Sequence, residues 1–282
     1  MRKALLALLV ALAMFATACG GSDDSESASG GDNASVDCDA PPLKADGTLT
    51  VATGEPAFLP WIADDNPESR EGFEAALVYA LAEEMGVETV SWVRTGFDDA
   101  IAPGSKDYDF NIQQFSITPD RAEVVDFSDG YYQVEQAIIG AADSAAASAT
   151  SIGDLKELKL GAAIATTSLD YLEEVIQPST DAAVFDDNVA AKSAFDAGQI
   201  DGIVFDLPTA YYITAVEIPE ASILGVLPRG DTPEELGMLF EKGSPLVSCV
   251  NDALATLHGN GTIEGLEDEW LNSGGSIPSL SN

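Results

Sequence analysis

The sequence predicts an α/β protein of two similar lobes, each a largely parallel sheet covered by helices, with a ligand cleft between them. Three observations carry this. Strand-like and helix-like segments alternate as β-α-β-α-β over residues 48–113, and a similar order returns over 151–205, the pattern of parallel sheets covered by helices. The two runs echo each other: Phe97…Pro103-Gly104…Asp107-Tyr108-Asp109-Phe110 is matched by Phe195…Gly198…Asp201-Gly202-Ile203-Val204-Phe205, each reading helix, glycine stop, acid, buried strand. A late amphipathic helix carries Cys249, and a bond to Cys38 would bring it back to the first lobe.

Residues 48–53 (TLTVAT) alternate apolar and polar and predict a strand. Phe73, Ala76, Leu77, Ala80 and Leu81 follow helical spacing, so 72–85 predicts a helix that Gly86 stops. A strand over 89–94, a short helix over 97–102 and a strand over 108–113 complete the first run. In the second, Ser151 opens a short helix with Asp154 as its capping-box partner. Strands over 158–164, 182–185 and 202–205 then alternate with helices over 168–176 and 188–197. The Ala/Ser-rich segment 141–150 marks the first junction between lobes. Ser244-Pro245 reads as an N-cap followed by proline at the first helical position, opening a helix that ends at Gly259. A last helix covers 262–271. The chain then crosses between lobes near 134–141 and 224–230, and two crossings make a hinge. Lobe one is 38–136 plus 229–282, and lobe two is 137–228.

Composition narrows the function. The 282 residues hold 48 Asp and Glu against 12 Lys and Arg, a formal charge of −36, which repels phosphate backbones and excludes nucleic acid as a partner. With 46% hydrophobic residues the chain can still bury a large core. One His and three Cys leave too few ligands for a metal cluster, so no metal or cofactor is expected.

Residues 1–18 read as a secretory signal: Met1-Arg2-Lys3 is basic, and an apolar run ends in small residues. Ala16-Thr17-Ala18-Cys19-Gly20 resembles a bacterial lipobox, in which Cys19 is lipidated; the alternative is an ordinary signal peptide with an incidental cysteine. Residues 19–37, mostly Gly, Ser, Ala and acids, then form a flexible tether beside the lipid. The expected location is outside the cell membrane, held to its outer face through Cys19. Cys38 and Cys249 remain as an even pair in an exported chain, which reads as a disulfide, with two free thiols as the alternative.

The stretch Gln113-Gln114-Phe115-Ser116-Ile117-Thr118-Pro119-Asp120-Arg121 concentrates the chemistry. Thr118 can cap a helix that begins at Pro119, and Arg121 adds a fork of donors suited to a carboxylate. A surface salt bridge is the other role open to Arg121.

Ser116-Ile117-Thr118-Pro119-Asp120-Arg121, followed by Val125-Asp126-Phe127-Ser128-Asp129-Gly130-Tyr131-Tyr132, resembles the amino-acid-binding lipoproteins and periplasmic proteins of ABC transporters, solute-binding protein family 3. Gly72-Phe73-Glu74, Asp201-Gly202-Ile203-Val204-Phe205-Asp206 and Asn260-Gly261-Thr262…Glu269-Trp270-Leu271 extend the resemblance over roughly residues 47–272. It implies the type II periplasmic binding protein fold, closing on a free amino acid. Arg121 would grip the ligand α-carboxylate, with Ser116, Gln114 and Thr118 beside it. Lobe two would add Thr167 at a helix start, with Asp170 as capping partner, and Asp206 for the α-ammonium. Phe58 and Phe97 would flank the ligand side chain, and Glu55 would face it, favouring a polar or basic amino acid over an acidic one. Ala163 stands where glutamine-selective relatives carry a Lys. Core packing is the plain alternative for Phe58 and Phe97, helix capping for Thr167 and solvent exposure for Glu55. The implied partners are the membrane subunits of an importer, with the binding protein itself a monomer and not an enzyme. Two other readings remain: a dehydratase of prephenate-like acids on the same fold, with Glu55 as acid, and a sensing module for a separate receptor.

Overall fold

The computed structural model describes residues 36–229, 232–271 and 277–282. The expected signal segment, Cys19 and nearly all of the tether lie outside the described residues.

In chain order the strands are β1 (Thr48–Thr53), β2 (Thr89–Arg94), β3 (Phe110–Asn111), β4 (Val125–Phe127), β5 (Tyr132–Val134) and β6 (Gln136–Ala141). They continue as β7 (Leu160–Ala163), β8 (Ala183–Phe185), β9 (Gly202–Asp206), β10 (Ala221–Val226), β11 (Glu234–Leu236) and β12 (Leu239–Glu241). The α-helices are α1 (Phe73–Glu84), α2 (Phe97–Ile101), α3 (Pro119–Val124) and α4 (Thr167–Asp170). After them come α5 (Asn188–Asp196), α6 (Leu207–Tyr212), α7 (Val247–Gly259) and α8 (Thr262–Trp270).

Two five-stranded sheets form the lobes. The first has the order β2-β1-β3-β12-β4, with β1 parallel to β2 and β3, and β12 antiparallel to β3 and β4. The second has the order β10-β6-β9-β7-β8, with β7 parallel to β8 and β9, and β6 antiparallel to β9 and β10. The sheets are therefore mixed, because each receives the strands that return through the hinge. That hinge is a ribbon of β5 and β11, paired antiparallel. Where the strands leave it, Leu227 N–H donates to Gln136 O at 2.8 Å.

Lobe one has the larger continuous core. Leu49 and Val51 of β1 pack with Phe73, Leu77 and Leu81 of α1 and with Val250, Leu254 and Leu257 of α7. Cys38 and Cys249 are joined in a disulfide, so the segment before β1 is bonded to α7, as the paired reading of these cysteines requires. Gly72 begins α1 at φ 99°, and a Cβ there would lie 2.5 Å from Trp61 O, so only glycine fits.

Four sequence-based boundaries are corrected. The third strand is regular only at Phe110–Asn111. On one side the Asp109 carboxylate accepts from Lys44 N and Thr50 N, each at 2.7 Å; on the other, Gln114 turns left-handed at φ 53°. Segment 141–150 is not a junction: Ala146 is buried in the lobe-two core, and the crossing comes earlier, between β5 and β6. Helix α7 starts at Val247, after a turn in which Ser244 Oγ accepts from Leu246 N at 3.4 Å, so Pro245 precedes the helix. Finally, residues 277–282 belong to lobe two, although the sequence assigned all of 229–282 to lobe one. Leu280 is buried among Ile138, Leu224 and Leu227, and its N–H donates to Val226 O at 2.9 Å. Gly225 makes the room, since a Cβ there would lie 2.7 Å from Leu280 Cγ.

Candidate functional site

The cleft between the lobes holds a cavity of about 180 Å³. Its lobe-one wall begins where β3 ends. Thr118 Oγ1 accepts from Arg121 N at 3.3 Å and Pro119 occupies the first turn, so α3 starts as the sequence predicted. That start aims Arg121 back into the cleft. Its guanidinium donates through Nη1 to Ser116 O and through Nη2 to Ala165 O, both at 2.8 Å, and so bridges the lobes. Only 8% of Arg121 is exposed, and its carbon Cζ lies 5.6 Å from the Phe97 ring, which is stacked on Phe115. Burial pulls its pKa down, partly countered by Asp170, Glu234 and Asp206. An arginine in such a setting keeps its charge.

The lobe-two wall begins where β7 ends. Thr166, not Thr167, caps the following helix: its Oγ1 accepts from Leu169 N at 3.2 Å and donates to Ala163 O at 2.7 Å. This corrects the expected pairing of Thr167 with Asp170. It also frees the Thr167 hydroxyl, which points to Glu234 and Ser116 instead.

Asp206 ends β9 and keeps partial exposure to the cleft. Gln136 Nε2 donates to it at 2.8 Å, and Ser168 Oγ fixes the amide by donating to Gln136 Oε1 at 2.6 Å. Burial is the main cause that raises the Asp206 pKa to about 7; Glu234 and Glu74 add to it, while Gln136 and Arg121 oppose it.

The loop after β1 forms the outer wall with Glu55 and Phe58. Arg94 holds this loop, donating to Gly54 O at 2.6 Å and pairing with Asp65 at 2.8 Å. Farther in, Trp61 Nε1 donates across the lobes to Thr209 Oγ1 at 2.9 Å.

Of the sequence-predicted residues, Arg121, Asp206, Ser116, Thr167, Phe58, Phe97, Glu55 and Gln114 come together in this cleft. Thr118 does not line it, because its hydroxyl is spent on the cap. Gln114 lines the wall, but its backbone N–H and its amide both donate to the buried Glu74, which also accepts from Tyr131 Oη at 2.5 Å. Burial raises the Glu74 pKa to about 7. Gln136 and Glu234 were missed. Gln136 begins a strand and Glu234 is one acid of 48, so neither carried a local signal. His258 sits away from the cleft, with Nε2 at 3.4 Å from Gly130 O. Among the described residues no group of three or more His, Cys, Asp or Glu is placed to hold a metal.

The cleft's charges are lopsided. Arg121 faces five acids in the lining: Glu55, Asp98, Asp186, Asp187 and Asp206. A family model decides what such a cleft belongs to: bacterial extracellular solute-binding proteins, family 3, matches residues 49–273. The chain is a member of that family. Among its relatives is the L-cystine-binding protein TcyJ of Escherichia coli (strain K12), 28% identical over 232 residues, covering 81% of this chain and 84% of TcyJ. Solved structures of the same fold include the ancestral amino acid-binding protein AncCDT-1, a precursor of cyclohexadienyl dehydratase. It is 31% identical with a TM-score of 0.67, over 80% of this chain and 96% of that one. An ancestral arginine-binding protein bound to arginine is 29% identical with a TM-score of 0.68, over 80% of this chain and 99% of that one. No helix among the described residues of this family member is long and apolar enough to cross a membrane.

Proposed function

We propose that this family 3 member captures a free amino acid with a cationic side chain and hands it to the membrane subunits of an ABC importer. In this reading Cys19 carries the lipid that keeps the protein at the outer face of the membrane, and the binding protein works as a monomer. The supporting observation is the charge layout of one cleft. Arg121 serves the α-carboxylate and Asp206 the α-ammonium, while Glu55 and Asp98 remain at the outer wall for a distal positive charge. A zwitterion must desolvate two opposite charges together, and anchors on opposite lobes couple that step to closure. Phe58 and Phe97 add faces for an alkyl stem or a guanidinium plane. Similarity to an arginine-bound ancestral protein supports the same choice. AncCDT-1 does not favour an enzyme here, since it is itself described as amino acid-binding.

Calorimetry with arginine, lysine, histidine, glutamine, leucine and glutamate tests the proposal. Arginine or lysine should bind tightest. Tightest binding by glutamate or leucine would overturn the cationic assignment, and binding of none would overturn amino-acid capture.

A further inference from the structure

Glu234 is the first residue of the returning hinge strand β11. Its Oε1 accepts from Ser116 Oγ at 2.5 Å and from Thr167 Oγ1 at 2.7 Å, hydroxyls that belong to opposite lobes. Gln136 Nε2 lies 3.4 Å from both of its carboxylate oxygens. A carboxylate can only accept, and a hydroxyl has one hydrogen to give and two lone pairs to offer. Once Ser116 and Thr167 give their hydrogens to Glu234, neither has one left for a ligand. Both then turn lone pairs toward the cleft they line. Lone pairs repel a carboxylate and accept from an ammonium.

We propose that Glu234 is a positioning residue that sets the polarity of the ligand site. By holding the two hydroxyl hydrogens it commits Ser116 and Thr167 to the ligand α-ammonium and leaves the α-carboxylate to Arg121. The proposal rests on the amino-acid capture argued above. It also revises the expectation that placed the Ser116 hydroxyl beside the carboxylate. Asp206 falls on the same side of this division. Gln136 Nε2 donates to Asp206 at 2.8 Å and reaches Thr167 Oγ1 at 3.4 Å. Three acceptors therefore gather beside the guanidinium of Arg121, whose Nη1 donates to Ser116 O at 2.8 Å, so donor and acceptor groups for the two main-chain charges of a ligand stand next to each other.

The test is Glu234→Gln. A side-chain amide can donate as well as accept, so the hydroxyls become free to turn their hydrogens outward. Calorimetry at about pH 8, above the titration of Asp206, would use three probes. They are L-arginine, 5-guanidinopentanoate, which lacks only the α-ammonium, and agmatine, which lacks only the carboxylate. Wild type should strongly prefer arginine to 5-guanidinopentanoate. Glu234→Gln should shrink that preference about tenfold, the scale of one hydrogen bond to a charged group. Glu234→Asp, which keeps the acceptor, should restore part of it. Ser116→Ala, which removes one acceptor and leaves the Glu234 carboxylate in place, should shrink the same preference and serves if the Glu234 variants fail to fold. Equal weakening of arginine and 5-guanidinopentanoate in Glu234→Gln or Ser116→Ala would overturn the polarity argument while arginine binding stands. Wild type that binds none of the three would overturn it together with the functional proposal.

Discussion

Arg121 reaches the cleft already bonded on both sides, its guanidinium shared between carbonyls of lobe one and lobe two. Asp206 has a single strong donor, the Gln136 amide, and acidic neighbours that oppose its ionisation. In the proposed function the two anchors would serve opposite charges of one ligand, and they are built differently. Arg121 carries a permanent charge and its own bond across the lobes, to Ala165 O. Asp206 carries a conditional charge, which an arriving ammonium would secure. One lobe therefore offers a fixed anchor and the other an anchor that the ligand completes.

The largest expected effect comes from removing the fixed anchor. Arg121→Ala deletes the proposed partner of the α-carboxylate and the one guanidinium bond that crosses the lobes, to Ala165 O. Truncating one member of such a desolvated charged pair costs about 2–5 kcal/mol of affinity. Arg121→Lys should recover little, because a compact ammonium cannot span two carbonyls and a carboxylate together. Calorimetry checks both variants, and near-wild-type affinity in Arg121→Ala would erase the contrast between the anchors.

The conditional anchor predicts a pH dependence. The free protein binds a proton at Asp206 below about pH 7, and an ammonium ligand requires that proton to leave. Affinity should therefore rise with pH and level off above about 7. For one group, two pH units below the pKa is a factor of about 100. Asp206→Asn should bind weakly at every pH and lose the slope between pH 5 and 8.

Stability runs the other way. A carboxyl whose pKa is raised on folding holds extra protons in the folded state between its ordinary value of 3.8 and about 7. Unliganded stability is thus lost as pH rises through that window. Glu74, also raised to about 7, adds to the loss without touching the cleft. Thermal unfolding with and without arginine separates the two, because ligand should reverse only the Asp206 share. A ligand stabilisation equal at pH 5 and 8 would remove the distinction between fixed and conditional anchors.

Much of this arrangement is legible in the sequence. The two α/β runs were visible in periodicity, because apolar spacing and glycine stops are local. Arg121 and Asp206 were visible through resemblance to a family, because their motifs are contiguous. What was not legible depends on distant backbone. Thr166 and Thr167 are adjacent and chemically alike, so only the path after β7 decides which one caps and which one faces the cleft. Glu234 meets Ser116 across 118 residues of chain, a pairing no window of sequence contains. The tail misled for a related reason. Leu280 looks like any terminal apolar residue until the space beside Gly225 is seen to receive it.

The smallest expected effect belongs to the rim, where neither anchor acts. Glu55 is exposed and lines the cleft on a loop held by Arg94 rather than by ligand-facing groups. A solvated carboxylate facing a distal cation is worth about 0.2–1 kcal/mol. Glu55→Gln should therefore weaken arginine by a few-fold at most, and salt should reduce the difference further. Leucine, with no distal charge, should be indifferent to the substitution. Glutamate should gain slightly, because a repelling neighbour is gone. The informative quantity is the arginine-to-leucine ratio in wild type and variant at two ionic strengths. A ratio that falls in Glu55→Gln at low salt would place side-chain selection at this rim, apart from the main-chain anchors. A ratio that does not move would shift the discrimination to Asp98 and the aromatic faces of Phe58 and Phe97.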